Sequence, residues 1–146
     1  MTPTLTRFPP AQLAVIALAA QGCGNLEIAE QLHLSVAAVK GRFATAMRTT
    51  GAGSRAGLVI QACRWGQLQD LPRPDVRRLT LSTADLETLR DAAADLTCKQ
   101  IASSRRITED NAKDRCRALY RRLGATDRAH AVLIAWQLRI LPEVPR

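Results

Sequence analysis

The sequence predicts an all-α protein made of two tandem copies of one four-helix unit, and three observations carry that expectation. Of 146 residues, 47% are hydrophobic but only 3% aromatic. A chain rich in Ala, Leu, Val and Ile and poor in Phe, Tyr and Trp suits helix packing better than a β-sandwich. The chain also repeats itself: residues 8–68 shifted by 73 fall without a gap on 81–141. Identical pairs include Leu13/Leu86, Ile28/Ile101, Ala29/Ala102, Lys40/Lys113, Arg42/Arg115, Arg48/Arg121, Gly51/Gly124, Arg55/Arg128 and Val59/Val132. Scattered alanine matches would not hold Ile-Ala, Lys-x-Arg and Gly-Ala in one register. Between the copies, Pro72 and Pro74 flank a single residue, a pattern that stops a helix and favours an extended path. The expected organisation is a first domain over 1–68, a linker over 69–80 and a second domain over 81–146, ending in a short tail from Pro142 to Arg146. Each unit is small enough to gain from packing against the other.

In the first copy, Pro9 and Pro10 can open a helix at its N-terminal turn, with Leu13, Ile16, Ala17 and Ala20 at helical spacing as its apolar face. The run Gln21-Gly22-Cys23-Gly24-Asn25 ends it. A second short helix over Leu26–Leu32 points Ile28, Ala29 and Leu32 inward, and a turn follows at His33-Leu34. Ser35 caps a third helix, through Val39, Phe43 and Met47, that stops near Gly51. After Ser54 a fourth helix carries Leu58, Val59 and Ala62 on its inner side. In the second copy Ser82 or Thr83 caps the first helix, with Leu86 and Leu89 inward. Thr97 leads into the second at Lys99 to Ala102, Thr108 caps the third, Gly124 ends it, and Asp127 caps the fourth, with Val132 and Ala135.

The formal net charge is +8, from 21 Lys plus Arg against 13 Asp plus Glu, and basic residues occur in both halves. A basic folded chain points to a polyanionic partner, through counterion release from phosphates. The four cysteines, at 23, 63, 98 and 116, form no CxxC pair, and His33 and His130 complete no zinc spacing. They read as reduced thiols with no metal, disulfide or cofactor. The longest apolar stretch, Leu13 to Ala20, is far too short to span a bilayer, and no apolar h-region follows a basic segment at the N-terminus. The expected location is the cytoplasm. No Ser-His-Asp set, Gly-rich phosphate loop or paired acids stand out, so no enzyme activity is expected.

A short helix, a tight turn and a longer capped helix make the helix-turn-helix unit, whose second helix is of a size to enter a major groove. The run Gly22-x-x-Asn25-x-Glu27-Ile28-Ala29-x-x-Leu32-x-Leu34-Ser35-x-x-x-Val39-Lys40 resembles the LuxR/GerE-type helix-turn-helix domain. So do Ile101-Ala102 through Thr108 and Lys113, and Tyr120-Arg121-Arg122-Leu123-Gly124-Ala125-x-x-Arg128-Ala129-x-Ala131-Val132. The resemblance implies a four-helix domain, present twice, whose third helix reads the major groove and whose fourth often mediates dimerisation. In that family the lysine after the valine and the residue one turn later commonly face bases; here these are Lys40 and Ala44, and Lys113 and Arg117. The family's usual input module is not expected before the first copy. Thr49-Thr50, Arg42, Arg115 and Asp114 depart from the family pattern.

The candidate DNA-binding residues are Lys40, Arg42, Arg48, Lys113, Arg115, Arg117 and Arg121, with a solvated helix face as the plainer reading. Arg55 and Arg128 are expected to orient the turn before the fourth helix by binding local carbonyls. Trp65 and Trp136 read as packing or interface residues. Leu58, Val59, Ala62 and Leu68 leave open a dimer face, and with it a homodimer, or simple helix packing. The expected function is a transcriptional regulator that binds double-stranded DNA. The alternative is an adaptor with degenerate helix-turn-helix units that binds another regulator or RNA polymerase, which Gly41 and Ala44 would suit.

Overall fold

The computed structural model describes residues 7–73 and 80–140. Among them are eight helices and no strand: α1 Pro10–Ala20, α2 Asn25–Leu32, α3 Val36–Thr50, α4 Arg55–Arg64, α5 Thr83–Ala93, α6 Cys98–Arg105, α7 Glu109–Leu123 and α8 Arg128–Gln137. The bounds of α5–α8 are those of α1–α4 advanced by 73 residues. The turns repeat too. Among the described residues the positive-φ positions all pair at that offset: Gly22 with Asp95, His33 with Arg106, Gly51 with Gly124, and Gly66 with Arg139.

Helix starts are fixed by side chains that accept from otherwise free amides. Ser35 accepts from the Ala38 amide, Ser54 from Gly57, Thr108 from Asn111 and Asp127 from His130. Ser82, not Thr83, caps α5, in a reciprocal box with Asp85; Thr97 and Gln100 form the same box at α6.

The main core is shared between the halves, while two smaller clusters, one around Leu89, Leu119 and Ile134 and one around Ile101, Ala112 and Cys116, belong to the second half. Phe8, Val15, Ile16, Ile28, Val39, Phe43, Leu58 and Val59 pack in a cluster that also takes in Ala92, Ala129, Val132 and Leu133. Helices α4 and α8 lie against each other at its centre, α1 packs on α8, and α5 packs on α4. This position corrects two expectations. α4 buries every residue from Ala56 to Ile60 rather than one inner side, since α8 covers what would have been its outer face. α1 buries Val15, Ile16, Ala19 and Ala20, while Leu13 and Ala17 are only partly covered, since α8 reaches its other flank. α2 begins one residue earlier than expected, at Asn25, and leaves Leu26 exposed.

The seam is reciprocal, as in an isologous two-fold contact. The Asp95 carboxylate, in the turn after α5, accepts from the Gly53 amide at 2.6 Å and from the Ser54 hydroxyl, before α4. At the pseudo-equivalent place, the Thr126 hydroxyl before α8 donates to the Gly22 carbonyl after α1, at 3.3 Å. The linker expected over 69–80 is partly folded: turns run to Asp70, Leu68 is buried and Leu71 packs on the shared core. Residues 74–79 of that linker, and the tail from Pro142 to Arg146, lie outside the described residues.

Candidate nucleic-acid interface

α7 is the most strongly two-faced helix. Ala112, Cys116, Leu119 and Leu123 are buried along one side. Lys113, Arg117 and Arg121, four residues apart, form an exposed row on the other. At 1.5 Å rise per residue that row spans about 12 Å. Arg115 is also exposed but lies on a flank, off the row. Two of the four cations are paired along the helix: Lys113 Nζ lies 3.6 Å from Glu109 Oε1, and Arg117 Nη1 lies 3.6 Å from Asp114 Oδ1. Arg115 and Arg121 have no carboxylate partner among the described residues. Glu109 and Asp110 sit in the first turn, where acids suit the helix dipole.

The same row on α3 reads Lys40, Ala44 and Arg48, all exposed. Arg48 donates to the Thr45 hydroxyl at 3.2 Å. Arg42 differs from its counterpart Arg115: it is half-buried and donates to the Ala11 carbonyl at 3.2 Å, tying α3 to the start of α1. Of the seven candidate cations, it alone is held to the backbone of another helix among the described residues.

Contrary to expectation, Arg55 and Arg128 do not bind the turn before the fourth helix but reach about 30 residues back to the start of the second helix of their own half. Arg128 donates to the Leu96 carbonyl, and Arg55 donates to the side-chain carbonyl of Asn25, stacking over Phe43 at 4.4 Å. Tyr120 lies against Arg128 and Cys116, and burial pushes its hydroxyl up to about 12. Burial likewise pushes the Cys63 thiol up to about 12. Trp65 packs on Phe8, ring centroids 5.0 Å apart, and Trp136 packs on the shared core.

Sequence reasoning missed two exposed cations beside α7: Lys99 in the first turn of α6, and Arg106, in the left-handed conformation that ends α6. Their counterparts are Leu26 and His33, so identity between the two copies gives no sign of them. Two other arginines are withdrawn by buried acids that no periodicity announced. Arg105 grips Asp91 with two bonds of 3.0 Å, and Arg122 pairs with Asp85. Burial alone would raise the Asp85 carboxyl, but hydrogen bonds from Ser82 and Arg122 outweigh it and hold it below its usual range.

No protein-family model, curated protein or solved structure matches the chain. Among the described residues no helix is long and apolar enough to cross a membrane, and no three His, Cys, Asp or Glu side chains cluster as metal ligands would.

Proposed function

We propose that this chain is a DNA-binding transcriptional regulator formed by two tandem helix-turn-helix units of LuxR/GerE type. α7 inserts in the major groove, and α3 inserts in an adjacent groove segment. The reading rests on one observation above all: the exposed row Lys113–Arg117–Arg121 on a capped, 15-residue helix that follows a short helix and a tight turn. Long cationic donors at one-turn spacing suit guanine edges and flanking phosphates. The net charge of +8 supplies the sequence-independent part of such binding. With α4 covered by α8, one chain takes the part that two copies play in a dimer.

Titration of a labelled duplex pool at several salt concentrations tests this. Binding should weaken log-linearly with salt. Lys113→Ala with Arg117→Ala and Arg121→Ala should flatten the slope by about one unit for each phosphate that is no longer neutralised. A protein that ignores duplex DNA even at low salt is not a DNA-binding regulator. The ion pairs of Lys113 with Glu109 and Arg117 with Asp114 favour a second reading, an adaptor that docks another regulator or RNA polymerase. It would show as retention of such a protein partner without DNA.

A further inference from the structure

The two halves leave their fourth helices along the same path. After α4, the amides of Trp65, Gly66 and Gln67 donate to the carbonyls of Gln61, Cys63 and Ala62. After α8, Leu138, Arg139 and Ile140 donate to Ile134, Trp136 and Ala135, the same three bonds 73 residues on. From there the first half continues across the seam onto the second. Gln137 Nε2 donates to the carbonyls of Leu71, at 3.4 Å, and Pro72, at 3.0 Å. Pro72 and Arg73 thereby line a groove with Gln21, His130 and Leu133.

The 73-residue offset maps Gln137, Leu133, His130 and Gln21 of that groove onto Arg64, Ile60, Gly57 and Ala94. All four line a cavity of about 490 Å³ between α4 and α5. The sequence repeat, too, runs past Leu68/Leu141: Asp70-Leu71-Pro72-Arg73 is answered by Glu143-Val144-Pro145-Arg146 at the same offset. The cavity walls carry Arg64, Arg90 and one acid, Asp95, opposite in sign to the Glu143 and Arg146 of that strip. Each strip carries a proline, which disfavours a helical conformation in the residue before it.

We propose that the C-terminal segment 143–146 seats in this cavity as a second strap, pseudo-equivalent to residues 70–73. Arg64 takes the part of Gln137, donating to the carbonyls of Val144 and Pro145. The seam between α4 and α8 is then held from both sides by the chain's own two copies of one motif. The proposal does not depend on DNA binding.

Photo-crosslinking in the full chain tests it, with benzoylphenylalanine in place of Val144, a position whose counterpart is the larger Leu71. The adduct should map within one chain to the segment holding Ile60 and Arg64 or to that holding Ala93, and Arg64→Ala should reduce its yield. Adducts elsewhere on the chain, adducts to a second copy that vanish on dilution, or no adduct overturn the proposal. A second measurement uses Trp136, which lines the cavity. With Trp65→Phe leaving it the sole tryptophan, removal of residues 142–146 should raise its quenching by acrylamide at unchanged helix content. Unchanged quenching also counts against the strap.

Discussion

At the seam, the second half has Asp95, Thr126 and His130 where the first half has Gly22, Gly53 and Gly57. Asp95 reaches towards Gly53 and Gly57, and a Cβ built on Gly57 would stand 2.6 Å from its Oδ2. At the mirrored contact a Cβ on Gly22 would meet Thr126 Oγ1 at 2.1 Å and His130 Nδ1 at 3.0 Å. A pair of first halves would leave both contacts bare, and a pair of second halves would crowd Asp95 against Thr126 and His130, so this arrangement selects the unlike pairing. Gly57→Ala is therefore expected to cost about 1–3 kcal/mol by overpacking. In an Asp95→Gly background the same change should cost close to nothing, because alanine's helix propensity, worth about 1 kcal/mol over glycine, offsets the remaining contact with Ala52. Urea unfolding of the four proteins of that cycle checks the coupling. His130 adds a pH dependence. Burial lowers its pKa from the usual value of 6.5, Asp127 opposing, and its Nδ1 accepts from the Thr126 amide at 3.3 Å, which requires the neutral ring. The unfolded chain binds that proton more readily, so the contribution is complete above the ordinary histidine range and is lost as pH falls through it. Between about pH 7 and about pH 5, wild-type Tm should fall more steeply than that of His130→Gln.

Helix identity was legible at nearly every element, because caps and glycines are local chemistry: Ser35, Ser54, Thr97, Thr108 and Asp127 sit where the sequence expects them. Which faces would be buried was less legible, since that depends on the other half of the chain. α4 reads as one-sided until α8 is placed against it, and nothing in the spacing of α5 announces that Asp85 and Asp91 are buried beside Arg122 and Arg105. The candidate cations divide in the same way: the row on α7 follows from helical period, whereas the anchoring of Arg42 to Ala11 needs the tertiary path of α1. This gives an expected ranking for DNA affinity. Lys113→Ala with Arg117→Ala should weaken binding to a cognate site more than Lys40→Ala does, because α7 presents two long donors one turn apart and α3 presents Lys40 and then Ala44. At about 1–3 kcal/mol for each good base contact, the double change should cost tenfold or more in affinity. Arg42→Ala should lower stability and leave the salt slope unchanged. Gel-shift titrations beside thermal melts separate those outcomes, and a Lys40→Ala protein weaker than the double variant would reverse the ranking.

For the whole molecule the shared core matters most. An extended twelve-residue linker could reach about 40 Å, enough for two independent units, but Leu68 is buried, Leu71 is docked, and Val132 and Leu133 of α8 complete the first half's cluster. The halves meet through α4 and α8, with α1 on α8 and α5 on α4, and α3 and α7 hold corresponding places in them. If both third helices enter DNA, the site should contain two inverted half-sites about one helical turn apart, roughly 34–36 Å between centres. The half-sites should be imperfect copies, because Lys40, Gly41 and Ala44 stand where the second half has Lys113, Asp114 and Arg117. Footprinting with one chain per site should then protect about 20 base pairs, where a single engaged helix would protect about ten. Fixed geometry makes a sharper demand. Inserting about five base pairs between the half-sites turns one of them to the far face of the duplex. A rigid body engaging both should lose most of its specific affinity on such a site and recover much of it when about ten are inserted only if the halves can separate. With the α4–α8 seam intact, neither spacing should bind as tightly as the original. Equal affinity for all three sites would mean that one helix reads DNA and the other half of the chain supports it.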